Sequence, residues 1–155
     1  MANPIIIYTD GSSRGNPGPG GYGVVMISDQ YRKELSQGYI LTTNNRMELL
    51  GAIVALEAIK IENSQVTVYT DSKYVVDSIE KGWVFGWEKK NFAGKKNPDL
   101  WMRFLKVFRN HKAKFVWVKG HATNAENNVC DQLAVKASFK SNLLTDTGYH
   151  PEKVL

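Results

Sequence analysis

Two aspartates close two apolar runs in the same way. Ile5-Ile6-Ile7 leads into Tyr8-Thr9-Asp10, and Val66-Thr67-Val68 leads into Tyr69-Thr70-Asp71. Both runs are short and β-branched, and glycine or serine follows each aspartate. They read as buried strands that each deliver a carboxylate at the C-terminal end. Burial penalises an unpaired carboxylate, and a second one beside it adds like-charge repulsion. A cation between them would relieve both costs. Taken singly, each acid has an ordinary explanation: Asp10 as a strand-ending Asp-Gly turn, Asp71 as a helix N-cap, and Glu48, three residues after Asn45, as part of a capping box. Together these explanations weaken. Gly51, Ala52 and Ala55 lie three, four and seven residues beyond Glu48, a small-residue stripe that lets a helix pack close to a sheet. Glu48 can then reach the strand ends, where the helix dipole also favours an anion. Asp131 lies among Val129, Cys130, Leu133 and Ala134 on the last helix and alone reads as solvated. Carboxylates without a cysteine cluster suit hard cations, Mg²⁺ with Mn²⁺ as a substitute. Two such ions about 4 Å apart form a clamp for in-line phosphoryl transfer, one activating water and the other stabilising the leaving oxygen.

Other polar residues fall beside these acids. Lys119-Gly120-His121 ends a strand on a flexible glycine, a setting that suits His121 as a proton shuttle or leaving-group acid. His111 and His150 have no such setting. Thr42-Thr43-Asn44-Asn45 precedes Glu48, and one of the four would suffice as a cap. Asn44 and Asn45 can read base edges or 2′-hydroxyls in a minor groove. Gly11 to Gly21 is no Walker A loop: it lacks the Gly-Lys-Ser/Thr ending, and Pro17 and Pro19 remove amide donors. It reads as a long hairpin loop that brings backbone, with Asn16, toward a substrate beside Asp10.

The elements that must position these residues follow from patterning. Strands are expected at Ile5 to Asp10, Tyr22 to Ser28 and Lys33 to Thr42, an antiparallel meander. A helix from Asn45 to Ile61, a strand from Val66 to Thr70 and a helix from Ser72 to Glu80 follow. A helix from Asp99 to Asn110, a strand from Ala113 to Val118 and a helix from Ala125 to Lys140 complete the order. The predicted architecture is one α/β domain over residues 1–155: a five-stranded mixed sheet, an antiparallel meander plus parallel strands, with helices on both faces and an irregular tail after about 149. The net charge is +5, and the segment Lys81 to Asn97 carries nearly all of it, with five lysines against Glu88. Trp83, Phe85, Trp87 and Phe92 interleave with Lys89, Lys90, Lys95 and Lys96, which points to phosphates as partner. The i, i+4 spacing of Trp83 and Trp87 favours core packing, with nucleic-acid contact secondary. No apolar run approaches the ~20 residues of a membrane span, and the N-terminus lacks the pattern of a signal peptide. The one cysteine, Cys130, cannot form an internal disulfide. A cytoplasmic monomer is the expectation.

As a set, the motifs resemble the bacterial ribonuclease HI family, type 1 ribonuclease H. They include Tyr-Thr-Asp-Gly-Ser, Gly-Asn-Pro-Gly-Pro-Gly-Gly-Tyr-Gly, Thr-Thr-Asn-Asn-Arg-Met-Glu-Leu, Trp-Val-Lys-Gly-His and Thr-Asp-Thr-Gly-Tyr, in order from Ile5 to Tyr149. The resemblance implies the ribonuclease H-like fold and endonucleolytic cleavage of the RNA strand in RNA–DNA hybrids, leaving 5′-phosphate and 3′-hydroxyl ends. It implies four metal-binding acids at Asp10, Glu48, Asp71 and Asp131, a loop histidine at His121, and hybrid contacts at Asn16, Thr43, Asn44 and Asn45. It also implies a phosphate pocket at Thr43 and Asn97, and a basic handle over Lys81 to Asn97. Four positions depart or mark this chain. Leu41 stands where an arginine is common in the phosphate pocket. Lys73 replaces a common glutamine and can add a phosphate contact or lower the carboxylate pKa values. Ser13 replaces a cysteine near the substrate. The handle is several residues short. Two alternatives stand beside this reading: a catalytically silent hybrid-binding protein, and another nuclease or strand-transfer enzyme on the same fold.

Overall fold

The computed structural model describes residues 3–120 and 124–151. The elements run β1 (Ile5–Ser13), β2 (Gly18–Ser28), β3 (Tyr31–Thr42), α1 (Asn44–Glu57), β4 (Gln65–Thr70), α2 (Lys73–Glu80), α3 (Trp83–Lys89), α4 (Pro98–Phe108), β5 (Lys112–Trp117) and α5 (Ala125–Ser138). The five strands form one mixed sheet in the order β3-β2-β1-β4-β5. β1 pairs antiparallel with β2 and parallel with β4, and β5 continues the parallel half. The helices lie on both faces, with α1 against one side of β1 and β2 and α5 against the other. Among the described residues no helix is long and apolar enough to cross a membrane.

The expected elements appear in order, with a further short helix, α3, inside the basic segment, but the glycine-rich segment is not a long loop. Gly11 to Ser13 extends β1 and Gly18 to Gly21 opens β2, leaving a tight turn at 14–17. The physical reason is packing. A Cβ on Gly11 would lie 2.3 Å from the Met47 carbonyl carbon, and one on Gly23 would lie 2.2 Å from the Cys130 carbonyl oxygen. These glycines let α1 and α5 approach the same strands from opposite faces. Glycine here serves close approach rather than turning.

Helix α1 is buried nearly all round, with Met47, Leu49, Leu50, Ala52, Ile53, Ala55 and Leu56 all inside. That is the pattern of a helix held between a sheet and a second helix layer. It ends at Glu57, short of Ile61. Asn63 takes a left-handed φ of 59° there, and its N–H donates to the Asn110 carbonyl at 2.7 Å, turning the chain into β4. Beneath α4, Trp101, Phe104 and Phe115 form a core of edge-to-face rings.

Among its described residues the tail has no helix or regular strand, yet it is fastened. Leu144 bridges the edge of β3 through Leu144 N–H to Gly38 O at 3.0 Å and Ile40 N–H to Leu144 O at 2.9 Å. Asp146 then meets Arg46, a guanidinium only 2% exposed, at 2.7 Å. Asp99 grips the same guanidinium at 2.7 Å from α4. Arg46 therefore joins α1, α4 and the tail. Burial opposes its charge, and the bonds from the two aspartates override that opposition.

Candidate active site

The two Tyr-Thr-Asp segments lie in register. Tyr8 is paired with Tyr69 across the parallel β1–β4 ladder, and their rings stack at 5.2 Å. Asp10 and Asp71 therefore emerge side by side just beyond the end of the parallel β1–β4 ladder. Glu48 joins them from α1, which comes close because Gly11 has no side chain. Ligand oxygens of Asp10, Glu48 and Asp71 all lie within 4.8 Å of one another. The ordinary explanations for these acids fail. Thr43 caps α1 by accepting from Arg46 N–H, so Glu48 closes no capping box at Asn45. Ser72 caps α2 by accepting from Val75 N–H, so Asp71 is not the cap.

The electrostatics match a site built for a cation. Burial, then the Asp71 and Asp131 charges, push the Asp10 carboxyl from 3.8 up to about 8. Burial, then Asp10 and Asp71, hold Glu48 well above the usual carboxylate range. The Glu48 Oε2 atom is buried and has no hydrogen-bond partner among the described residues. Oxygen donors alone, one of them orphaned, fit a hard divalent ion. Asp131 stands outside this trio but hydrogen-bonds the Asp10 side chain from α5. A bond between two carboxyls needs a shared proton, which a cation can replace.

The loop after β5 closes over Asp71. A Cβ on Gly120 would lie 2.6 Å from Asp71 Oδ2, so a side chain there would displace the carboxylate. His121, the next residue, lies outside the described residues. Trp117 Nε1 donates to the Asp71 carbonyl at 3.0 Å, and the Lys73 ammonium sits 4.8 Å from the Trp117 ring centre. Lys73 is therefore occupied by the ring and does not figure among the charges that shift Asp10 or Glu48.

The polar residues before Glu48 are knitted together. Asn44 Oδ1 accepts from Ser13 N–H at 2.8 Å, and Asn16 Oδ1 accepts from Asn44 N–H at 3.1 Å. Beside them opens a cleft of about 750 Å³, with Asn16, Thr43, Asn45, Lys96, Asn97, Tyr149 and His150 in its walls. Asn97, in a left-handed turn with φ 61°, is pinned on both sides. Its Oδ1 accepts from Arg46 Nη1 at 3.2 Å, and its Nδ2 donates to the Tyr74 hydroxyl at 3.1 Å. Leu41 is exposed at the end of β3 and does not line this cleft.

The basic segment forms α3 and the turns after it, and the structure splits its tryptophan pair. Trp87 packs edge-on against Trp101 at 5.9 Å, whereas Trp83 is 47% exposed. Core packing holds for one ring only, because α3 is short and presents one face to α4. Glu88 is already paired with Arg109 at 2.7 Å. Lys89, Lys90, Lys95 and Lys96 are exposed, so the outward charge of the segment is wholly positive.

Arg46, Trp117 and the cleft-facing tail residues were absent from the sequence-based site. One signal was available for Arg46: a cation set inside the apolar run of α1 demands buried acids, and Asp99 and Asp146 are those acids.

Two parallel strands that present Asp10 and Asp71 side by side, joined by Glu48 from α1 on one face and Asp131 from α5 on the other, fit the class of metal-dependent phosphoryl-transfer enzymes. The chain belongs to the ribonuclease H family, whose model matches residues 2–139. It is 53% identical to a ribonuclease H of Trichodesmium erythraeum over 150 residues, covering 94% of this chain and 95% of that one. It is 56% identical to a ribonuclease H of Desulforamulus reducens over 147 residues, 92% of each. Among solved structures, LC9-RNase H1, a type 1 RNase H with the type 2 active-site motif, superposes with a TM-score of 0.81 at 32% identity, covering 89% of this chain and 73% of that one. LC11-RNase H1 in complex with RNA/DNA hybrid gives 0.63 at 30% identity, covering 86% and 95%.

Proposed function

We propose that this chain is a Mg²⁺-dependent endonuclease that hydrolyses the RNA strand of RNA–DNA hybrids, leaving 5′-phosphate and 3′-hydroxyl ends. The observation that carries the reading is the in-register pair Asp10 and Asp71 with Glu48 between the strand ends, within a ribonuclease H fold. Asp10, Glu48, Asp71 and Asp131 would hold two divalent ions, Mn²⁺ serving as a substitute, and these supply the Lewis acidity that water activation and leaving-group departure require. Asp10 and Glu48 bind such ions only as carboxylates, so binding releases the protons that burial favours. His121 moves a proton or assists product release. Ser13, Asn16, Thr43, Asn44 and Asn45 orient the hybrid by hydrogen bonds. Asn97 and the lysines of the α3 segment hold the DNA-strand backbone, with Trp83 and Lys73 at the margins. The enzyme acts as a monomer, in the cytoplasm, as one domain.

A labelled RNA–DNA hybrid, duplex DNA and duplex RNA, each incubated with Mg²⁺ or with EDTA, test the reading. The expected result is cleavage of RNA in the hybrid alone and only with Mg²⁺. Hybrid binding without cleavage in Mg²⁺ would identify a silent binding protein. Cleavage of duplex DNA would identify a different nuclease on the same fold.

A further inference from the structure

The cleft beside the acids has three walls, and the third is the tail. One wall is the turn at Asn16 with the start of α1, and the second is Lys96-Asn97 before α4. Residues 148–151 line it as well. Their position is fixed at several points. Leu144 adds to the edge of β3, and Asp146 takes both Arg46 and the Thr42 hydroxyl, each at 2.7 Å. Tyr149 N–H then bonds the Asp146 carbonyl at 3.1 Å, folding the chain back over the cleft. Gly148 passes so close to the ion pair that a Cβ there would lie 1.8 Å from Asp99 Oδ2.

The charges of the cleft show what the tail adds. Arg46 lines it, but two aspartates already engage that guanidinium. Lys96 and His150 are the other basic side chains in its walls, where the only acid among the described residues is the Asp99 that Arg46 holds, and His150 is exposed. An anionic strand lying in the cleft would meet both the Lys96 ammonium and the imidazole.

We propose that the tail is part of the nucleic-acid site, with His150 and its neighbour Tyr149 touching the sugar–phosphate backbone of the strand in this cleft. The imidazole N–H donates to a phosphate oxygen, and the Tyr149 hydroxyl donates beside it. Both are binding residues, remote from the reacting atoms, and Asp146 and Gly148 position them. The inference rests on the hybrid reading above for the identity of the strand.

Steady-state cleavage of a hybrid with Mg²⁺ tests it. A contact made equally in ground and transition states is lost in KM. His150→Ala should raise KM by about three- to tenfold, with the loss confined to KM, and His150→Lys should recover most of it. Gly148→Ala, whose methyl must displace either the tail or the Asp99 carboxylate but removes no cleft side chain, should raise KM in the same way. KM unchanged in both alanine variants, while the parent cleaves hybrid, overturns the inference. So does a lower melting temperature and kcat at unchanged KM, the mark of a purely structural tail. If the parent cleaves nothing, the hybrid-hydrolase reading fails instead, and the Kd for hybrid in EDTA, parent against His150→Ala, decides the tail separately.

Discussion

Asp10 is the residue on which stability and chemistry pull hardest against each other. Its carboxyl is raised from 3.8 to about 8, by burial first and then by Asp71 and Asp131. The folded state therefore holds a proton that the unfolded chain releases near pH 4. Between these values the native state binds more protons, so metal-free stability falls as pH rises from about 4 toward 8. Melting curves across that range should slope downward. Asp10→Asn should flatten the slope and raise the metal-free melting temperature at pH 8, while abolishing cleavage. Saturating Mg²⁺ should raise the melting temperature of the parent by mass action, and less so in the variant. A parent curve indifferent to both pH and Mg²⁺ would count against the cluster. Asp10 and Asp71 were legible because each follows a β-branched strand run with the same local sequence. Arg46 was less so: its partners lie 53 and 100 residues away, and only folding brings them together.

At the scale of elements, the two faces of β2 explain how one sheet serves two helices. Gly20 faces Met47 of α1, whereas Gly21 and Gly23 face Ala134 and Cys130 of α5. Apart from the short α3, the order and type of the elements were readable from the 2.0 and 3.6 periodicities, since β-branched runs and the α1 pattern are strong. The glycine segment misled because glycine marks both turns and tight packing, and local sequence does not say which. Gly23→Ala separates the two roles. A turn glycine with negative φ would tolerate alanine, but here the methyl meets the Cys130 carbonyl at 2.2 Å. Overpacking of this kind costs about 1–3 kcal/mol. The urea midpoint should fall accordingly. Activity should fall as well, because α5 must move outward and carries Asp131 with it.

Over the whole molecule, Arg46 is the tie that keeps the cleft and the acids in one frame. It links α1, which bears Glu48, to Asn97, to α4 and to the tail. Arg46→Met leaves Asp146, itself only 7% exposed, without its cation. Breaking a buried pair from one side costs about 3–5 kcal/mol, with the Asp99 share reduced by its solvent exposure. The denaturation midpoint should drop, and Arg46→Met with Asp146→Asn should recover part of the loss. The Asp99 carboxyl, which burial alone would raise, is held below its usual range by Arg46. That stabilisation is present above pH 4 and disappears as pH falls through the depressed value, so the parent should show an acid-labile component that Arg46→Met lacks. The four tryptophans are also divided across the molecule. Trp83, Trp87 and Trp101 gather at α3 and α4, while Trp117 alone sits at the strand ends with its indole N–H on the Asp71 backbone. The protein thus carries its own optical probe of the acid cluster. Occupation of the site by Mg²⁺ should alter emission from Trp117, and that part of the spectral change should vanish in Trp117→Phe.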